Sequence, residues 1–367
     1  MLPPLPHTSI TTRGGRVRFI EAGGLPKPGD VIDGKYVVDH ELGSGAMSVV
    51  YRVTHRVTQK CFALKALLPE VAANAELARR FLREGQVASQ LEHAHAVEVY
   101  DVGRSDGTLY MVMELLDGES LDQRLRRTGA LSFAEAARLL VPCLEALAEA
   151  HGLGIVHRDL KPANIFVCRE TTVRPEHAKL LDFGISKLSG APGETAQPLT
   201  RSGLVMGTPH YMPLEQMRGQ RVDHRADIYA IGVVFYQVLS NRLPHHASNF
   251  GDLILAMASE PPRALDRAVP DLPAGVAAIV HKAIARAPED RYASLTEMLA
   301  ALAPLLSPGV PPPATPAAAR ASFVSPAAPP PMTAAAALAS FALPVPRPPM
   351  TSAANAVDTH ATLSPLP

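Results

Sequence analysis

The sequence predicts an α+β fold with unstructured ends, and three observations carry that prediction. β-rich runs separated by glycine turns crowd residues 36–115 around a single helical period. Over residues 133–306 the apolar positions recur mostly at helical spacing, and one segment, 225–239, is apolar almost all round, as a buried central helix would be. Outside residues 36–306 the composition shifts to Pro, Ala, Gly, Ser and Thr, which cannot bury enough apolar surface to offset ordering entropy.

The chain of 367 residues balances 35 Lys and Arg against 35 Asp and Glu, so it has no overall basic footprint for nucleic acid or an anionic membrane surface. Cys61, Cys143 and Cys168 stand apart without C-x-x-C spacing. They read as buried free thiols of a reducing compartment rather than a disulfide or zinc framework. No run reaches the roughly 18 apolar residues of a membrane span. The nearest, 333–343, is alanine-rich and closed by Pro344. The start lacks a charged region ahead of an apolar core, so no signal peptide is expected. The expectation is a cytoplasmic protein without membrane span or nucleic-acid partner.

In chain order, residues 1–35 form a flexible leader in which only 17–20 is strand-like. Strands at 36–38 and 48–53 flank Gly43-Ser44-Gly45-Ala46-Met47. Such a turn lets backbone N–H groups approach phosphates without Cβ clashes, although an ordinary hairpin has the same outline. Residues 61–65 make an apolar strand ending in Lys65. In 76–91 Leu77, Phe81, Leu82, Val87 and Leu91 fall at helical spacing, with Glu84 on or beside the apolar face. A lone buried carboxylate is costly, and Lys65 is its obvious partner. Gly85 costs about 1 kcal/mol of helix propensity, which predicts an easily displaced helix. His93 and His95 are spaced like a metal pair but lack a third ligand nearby, and a surface turn before a strand at 97–100 is the preferred reading. Residues 109–115 form a strand leading into Leu116-Asp117-Gly118. A helix at 133–151 opens on Ser132 with Glu135 three residues on, and Pro142 is expected to kink it. A hairpin of 165–168 with 178–181 brings Asn164 close to Asp182, and helices at 275–286 and 294–306 complete the scaffold. Residues 307–367 form a Pro/Ala-rich disordered tail whose proline runs favour extended polyproline conformation.

The chemistry concentrates in His157-Arg158-Asp159-Leu160-Lys161-Pro162-Ala163-Asn164, followed by Leu181-Asp182-Phe183-Gly184. Hard oxygen ligands and a lysine, delivered by a tight loop and a buried strand end, suit magnesium and a transferring phosphoryl group. Either motif alone is a common turn or polar loop. Together and in order they resemble the catalytic signature of the protein kinases, H-R-D-L-x-x-x-N with D-F-G. In style the sequence is most similar to the bacterial eukaryotic-like (Hanks-type) serine/threonine protein kinases.

The resemblance covers residues 36–306 and implies the two-lobed protein kinase fold. This has a β-rich N-lobe with one helix (36–113), a hinge (114–117) and a mainly helical C-lobe (118–306). It implies transfer of the γ-phosphoryl of ATP, with Mg2+ or alternatively Mn2+, to Ser or Thr hydroxyls of protein substrates, including the chain's own activation segment. Asp159 would accept the hydroxyl proton, Lys161 steady the γ-phosphate, and Asn164 and Asp182 hold the metal. Lys65, fixed by Glu84, would hold the α- and β-phosphates. Leu42, Gly43, Ser44, Gly45, Ala46, Met47 and Ser48 would cover the nucleotide, with Ser48 standing where the family has a third glycine. Val50 and Ala63 would line the adenine site with Met113 behind it, and Glu114 and Leu116 would offer backbone groups to the base.

The same resemblance makes Arg158 a sensor for phosphate on Thr195, Thr200 or Ser202. It makes 207–209 a substrate-docking turn in which Thr208 bonds to Asp159 and Lys161, and Asp227 a brace for the catalytic loop. Near Glu215 the usual proline comes one place early, at Pro213, with Leu214 in its position; Glu215 keeps its place, with Arg291 as partner. Dimerisation for trans-autophosphorylation and a binding partner for the Pro-rich tail accompany this reading. Two rivals stay open. One is a pseudokinase scaffold, although Lys65, Asp159 and Asp182 are all present. The other is a small-molecule phosphotransferase of the same fold, against which Lys161, residues 207–209 and Glu215 weigh.

Overall fold

The computed structural model describes residues 24–172, 174–183 and 209–306. The chain divides into residues 1–319 and 320–367, and every described residue belongs to the first unit.

Strands β1 (Val31–Ile32), β2 (Tyr36–Ser44), β3 (Ser48–His55), β4 (Cys61–Leu67), β5 (Val99–Ser105) and β6 (Thr108–Met113) form one antiparallel sheet in the order β1-β2-β3-β4-β6-β5. The period of two along β4 separates its residues between two cores. Leu64 and Ala66 pack with Tyr36, Val49, Tyr51, Val53 and Tyr110. Ala63 and Leu67 pack on the other face with Met111, Met113 and Phe81, the last from α2 (Ala75–Ala88), which follows the short α1 (Pro69–Ala72). Lys65 shares the alternation of Ala63 and Leu67, and so leaves the sheet on the α2 side.

The lobe begins before Tyr36. β1 falls inside the expected leader, yet Val31 pairs with Val37 and Ile32 is fully buried. Backbone bonds from Gly29 N–H to Val38 O and from Val38 N–H to Asp30 O hold it. Two apolar residues are too few to produce a periodic signal. The strand-like residues 17–20 lie outside the described residues. The strand expected at 97–100 starts instead at Val99 and runs through Gly103 to Ser105, where a polar sequence hides it.

Asn74 caps α2 by accepting the backbone N–H groups of Glu76 and Leu77 at 3.0 and 3.2 Å. Gly85 is also a packing requirement. A Cβ at that position would run into Val102 and lie 3.1 Å from Met111 Cε, so the missing side chain is what lets α2 approach the sheet.

In the second lobe, β7 (Gly118–Ser120), β8 (Ile165–Cys168) and β9 (His177–Leu180) make a small sheet in the order β7-β8-β9. Around it stand α3 (Leu121–Thr128), α4 (Phe133–Gly152), α5 (Leu214–Met217), α6 (Arg225–Ser240), α7 (Phe250–Ser259), α8 (Leu265–Ala268), α9 (Val276–Ala283) and α10 (Leu295–Leu306). α4 opens with the expected Ser132–Glu135 capping box and continues as one helix through Pro142. Every residue of α6 from Ala226 to Tyr236 is buried, as its all-round apolar sequence requires. Of the three free cysteines, Cys143 and Cys168 are buried. Cys61 is only half-buried, at the start of β4, where Arg52 Nη2 donates to its Sγ at 3.2 Å. α3 and α7 went unforeseen: α3 buries only Leu121 and Leu125 of a largely charged sequence, and α7 is short.

Candidate active site

The loop between α4 and β8 carries His157 to Asn164, and α6 fixes its start. Asp227, with no exposed surface, accepts the His157 backbone N–H at 2.7 Å and that of Arg158 at 2.8 Å. His151 Nε2 lies 2.8 Å from the same carboxylate. These contacts hold Arg158 at φ +61°, a conformation non-glycine residues rarely adopt. Burial alone would raise the Asp227 pKa; His151, then His157 and the Arg158 N–H, outweigh it and hold the carboxyl below its ordinary value. A depressed carboxylate contributes stability that is fully present above its unfolded pKa, about 3.9, and is lost as pH falls through the lower folded value. Urea titrations are therefore expected to show wild-type stability falling below about pH 4. Asp227→Asn should start lower at neutral pH and lose less on acidification.

Within the loop, Lys161 Nζ donates to Asp159 Oδ2 at 2.9 Å. Asn164 Nδ2 donates to Asp159 O at 2.8 Å and to its Oδ2 at 3.2 Å. The amide nitrogen thus faces Asp159, and Asn164 Oδ1 is left as the free hard donor. The β8–β9 hairpin forms as expected, and Leu181 N–H donates to Asn164 O at 2.8 Å, which sets Asp182 beside the loop. Asp182 itself stands at φ +43°, and its Oδ1 lies 2.8 Å from Lys65 Nζ.

The partner expected for Lys65 was Glu84; the ion pair it makes is with Asp182. Glu84 is buried on α2 and acts on Lys65 through its charge. Burial alone would lower the Lys65 pKa, but Asp182 first and Glu84 second outweigh it, and the net shift is upward. The difference arises because the hairpin and positive-φ turn at Asp182, invisible to helical periodicity, bring its carboxylate within reach.

His157, first letter of the motif, carried no role in the sequence reading. It is fully buried, its Nε2 lies 2.9 Å from Leu181 O, and its ring packs on Phe183 with centroids 4.9 Å apart. It ties the catalytic loop to the segment bearing Asp182.

On the nucleotide side, β2 and β3 present the glycine turn. A Cβ at Gly43 would meet nothing within 4 Å, and one at Gly45 only Ser48 O at 3.7 Å, so the space beside both is open. Gly45 N–H donates to Ser48 O at 2.8 Å, closing a turn that contains Ala46 and Met47, and Ser44 ends β2 just before it. Leu42, on β2, is half exposed. Strand register sets Val50 opposite Lys65 and Ala63 opposite Met113. Val50, Ala63, Met113 and Leu116 belong to one apolar cluster. Glu114 N–H donates to Glu98 O at 2.9 Å, so its carbonyl is the backbone group it has left to offer a base.

The donor set fits magnesium. Asp182 and Asn164 supply two hard oxygens, the small protein share that this ion takes when phosphates and water complete its shell. Among the described residues no group of three His, Cys, Asp or Glu could hold a metal by itself. Of the His93–His95 pair, His95 Nδ1 lies 2.7 Å from Ala178 O and His93 Nδ1 accepts the His95 backbone N–H at 3.1 Å.

Beyond the loop, Arg291 and Glu215 pair as expected, at 2.6 and 3.0 Å. Gln216 Nε2 donates to Arg158 O at 3.0 Å. Among the described residues Arg158 Nε is buried without a hydrogen-bond partner, and burial lowers the Arg158 pKa. Gly184, Thr195, Thr200, Ser202 and Thr208 lie outside the described residues.

A family model described as "Protein kinase domain" matches residues 36–301. The serine/threonine-protein kinase pkn3 of Myxococcus xanthus is 36% identical over 269 residues, 72% of this chain and 49% of its own. The serine/threonine-protein kinase PknH of Mycobacterium tuberculosis is 34% identical over 274 residues, 75% of this chain and 42% of its own. The chain thus spans half or less of the length of these relatives. Among solved structures, the Mycobacterium tuberculosis PknI kinase domain superposes with a TM-score of 0.59 at 32% identity, covering 76% of this chain and 99% of that one.

Proposed function

Because this chain belongs to the protein kinase domain family, we propose that it is a serine/threonine protein kinase that transfers the γ-phosphoryl of ATP to protein hydroxyls. The observation that carries this is a pair of hydrogen-bonded groups, Asp159 with Lys161 and Asn164, and Lys65 with Asp182, joined where Leu181 N–H donates to Asn164 O. Asp159 holds a substrate hydroxyl and takes its proton. Lys161, bonded to Asp159, steadies the γ-phosphate as charge builds on it. Lys65 positions the α- and β-phosphates, and the open space beside Gly43 and Gly45 lets backbone N–H groups approach them. Asp182 and Asn164 would hold magnesium, or manganese, whose charge when bound neutralises phosphate oxygens. Val50, Ala63, Met113 and the backbone of Glu114 and Leu116 receive the base.

A pseudokinase is disfavoured because lysine, catalytic aspartate and metal aspartate are all present and placed together. A small-molecule phosphotransferase is disfavoured by the names of the relatives, which are protein kinases.

The test is incubation of the purified chain with labelled ATP, magnesium and a generic basic protein, beside Asp159→Asn and Lys65→Met. Label on the wild-type chain or on the basic protein, absent from both variants, is expected. A folded wild type that labels neither overturns the reading. Arg158 Nε, buried and without a hydrogen-bond partner among the described residues, supports a phosphate-sensing role. Phosphopeptide mapping of active protein is expected to find phosphate on Thr195, Thr200 or Ser202, and finding none rejects it. A second copy acting in trans, a partner for the Pro-rich residues 307–367 and a cytoplasmic location rest on the sequence alone. No helix among the described residues is long and apolar enough to cross a membrane.

A further inference from the structure

Lys179 is a buried lysine on β9, and no step of phosphoryl transfer uses it. Its Nζ donates to Glu114 Oε2 at 2.5 Å and to Ala96 O at 3.3 Å. An ammonium out of water needs such partners, because an isolated buried charge is strongly disfavoured. The two partners belong to different segments. Glu114 opens the link between the two lobes, just after β6. Ala96 lies in the connection between α2 and β5, and bridges Leu180 in parallel. Val97 N–H donates to Leu180 O at 2.9 Å and Leu180 N–H to His95 O at 2.8 Å, so that connection is laced to β9 at the residue that follows the lysine.

We propose that the Lys179–Glu114 pair positions the inter-lobe link against the adenine, making Lys179 a determinant of ATP affinity. This rests on the nucleotide reading given above. Glu114 is held twice, by its carboxylate on Lys179 and by its N–H on Glu98 O, which leaves the following peptide groups little freedom to rotate. Lys179 stands on β9, whose last residue, Leu180, precedes Asp182 by two positions. The link that receives the base and the carboxylate at the phosphate end therefore share one rigid frame. A buried ion pair is weak evidence of stability, since a well-packed apolar pair often serves as well, but its geometry is directional where apolar contact is not. Fixing orientation is the role the contacts describe.

The experiment compares the full chain with Lys179→Met, Glu114→Gln and the double variant Glu114→Leu/Lys179→Met. It measures KM for ATP, KM for the protein substrate, kcat, ATP binding by calorimetry, and melting. KM for ATP is expected to rise about tenfold in Lys179→Met, with kcat falling less than about threefold and the protein-substrate KM unchanged. Glu114→Gln should reproduce the rise. The double variant, with no charge left unpaired, should melt near wild type yet keep the raised KM, and its effect should fall short of the product of the single effects. If Lys179→Met folds poorly, the double variant carries the test alone. A folded double variant with KM for ATP within about twofold of wild type overturns the proposal. So does a loss in which KM and kcat worsen together in step with melting, because that is a merely structural role. A folded wild type that binds no ATP overturns the nucleotide reading itself, and this inference with it.

Discussion

Asp159→Asn is expected to lower kcat by about 10²- to 10⁴-fold, the range supplied by a positioned general base, while ATP binding stays close to wild type. The substitution keeps size and shape, and it removes the charge that receives a proton. Asp159 Oδ2 accepts from both Lys161 and Asn164, so the amide must present its oxygen to the same donors and retains no basic site for the incoming hydroxyl. The fold should tolerate the change because the loop is braced elsewhere, by Asp227 on the backbone of His157 and Arg158. Neither ATP contact nor metal ligand is altered directly, so the loss should appear in kcat and in kcat/KM for the protein substrate alike, the signature of an interaction made in the transition state. Lys65→Met is expected to differ. It removes the ion-pair partner of Asp182 and a positive charge that the buried Glu84 acts on, so ATP affinity should fall together with rate. Single-turnover kinetics with calorimetric ATP binding separate the two. A folded Asp159→Asn chain retaining more than about a tenth of wild-type kcat would remove Asp159 from the role of base.

What the sequence disclosed of this site follows from how local each signal is. Asp159 and Asn164 lie five residues apart in one loop, and Asp182 closes a hairpin whose two strands are visibly apolar, so spacing alone places them together. Asp227 and the Arg291–Glu215 pair are distant in sequence, and only resemblance to a family could join them. The pairing of Lys65 with Asp182 depends on a backbone turn at φ +43° that no composition encodes. Lys179 and Glu114 are 65 residues apart, and their contact exists only because the β9 register sends that lysine inward. Gly85 has a second purpose that the sequence hides for a related reason. Its low helix propensity is a local property, while its purpose, the approach of α2 to Val102, is a tertiary one. The fold class was legible because periodicity integrates over many residues. Two-residue β1 and the charged α3 fell below what periodicity can detect.

Arg291→Leu is expected to cost about 3–5 kcal/mol of stability, as breaking a buried ion pair from one side does. The guanidinium has no exposed surface and forks onto Glu215 at 2.6 and 3.0 Å. It also donates to Ala285 O, Arg286 O and Arg225 O, and lies 5.0 Å from the Tyr229 ring centroid. Leucine would fill part of the volume and leave three carbonyls and a nearly buried carboxylate without their donor. For a domain of this size the change should lower the melting temperature by roughly 6–20 °C, at about 2–4 °C per kcal/mol. The consequence reaches the active site. Glu215 lies in α5, where Pro213 stands at the N-cap and Leu214 buries itself in the core, so the early proline is absorbed by packing rather than by loss of the pair. The next residue, Gln216, donates to Arg158 O, one position before the catalytic aspartate. Freeing α5 should therefore reduce kcat even at temperatures where the variant remains folded. Glu215→Leu/Arg291→Leu, which leaves no charge unpaired, should recover much of the stability and little of the rate, since the anchor is still missing. Urea unfolding that places Arg291→Leu within about 1 kcal/mol of wild type would show the pair to be no stronger than a surface one.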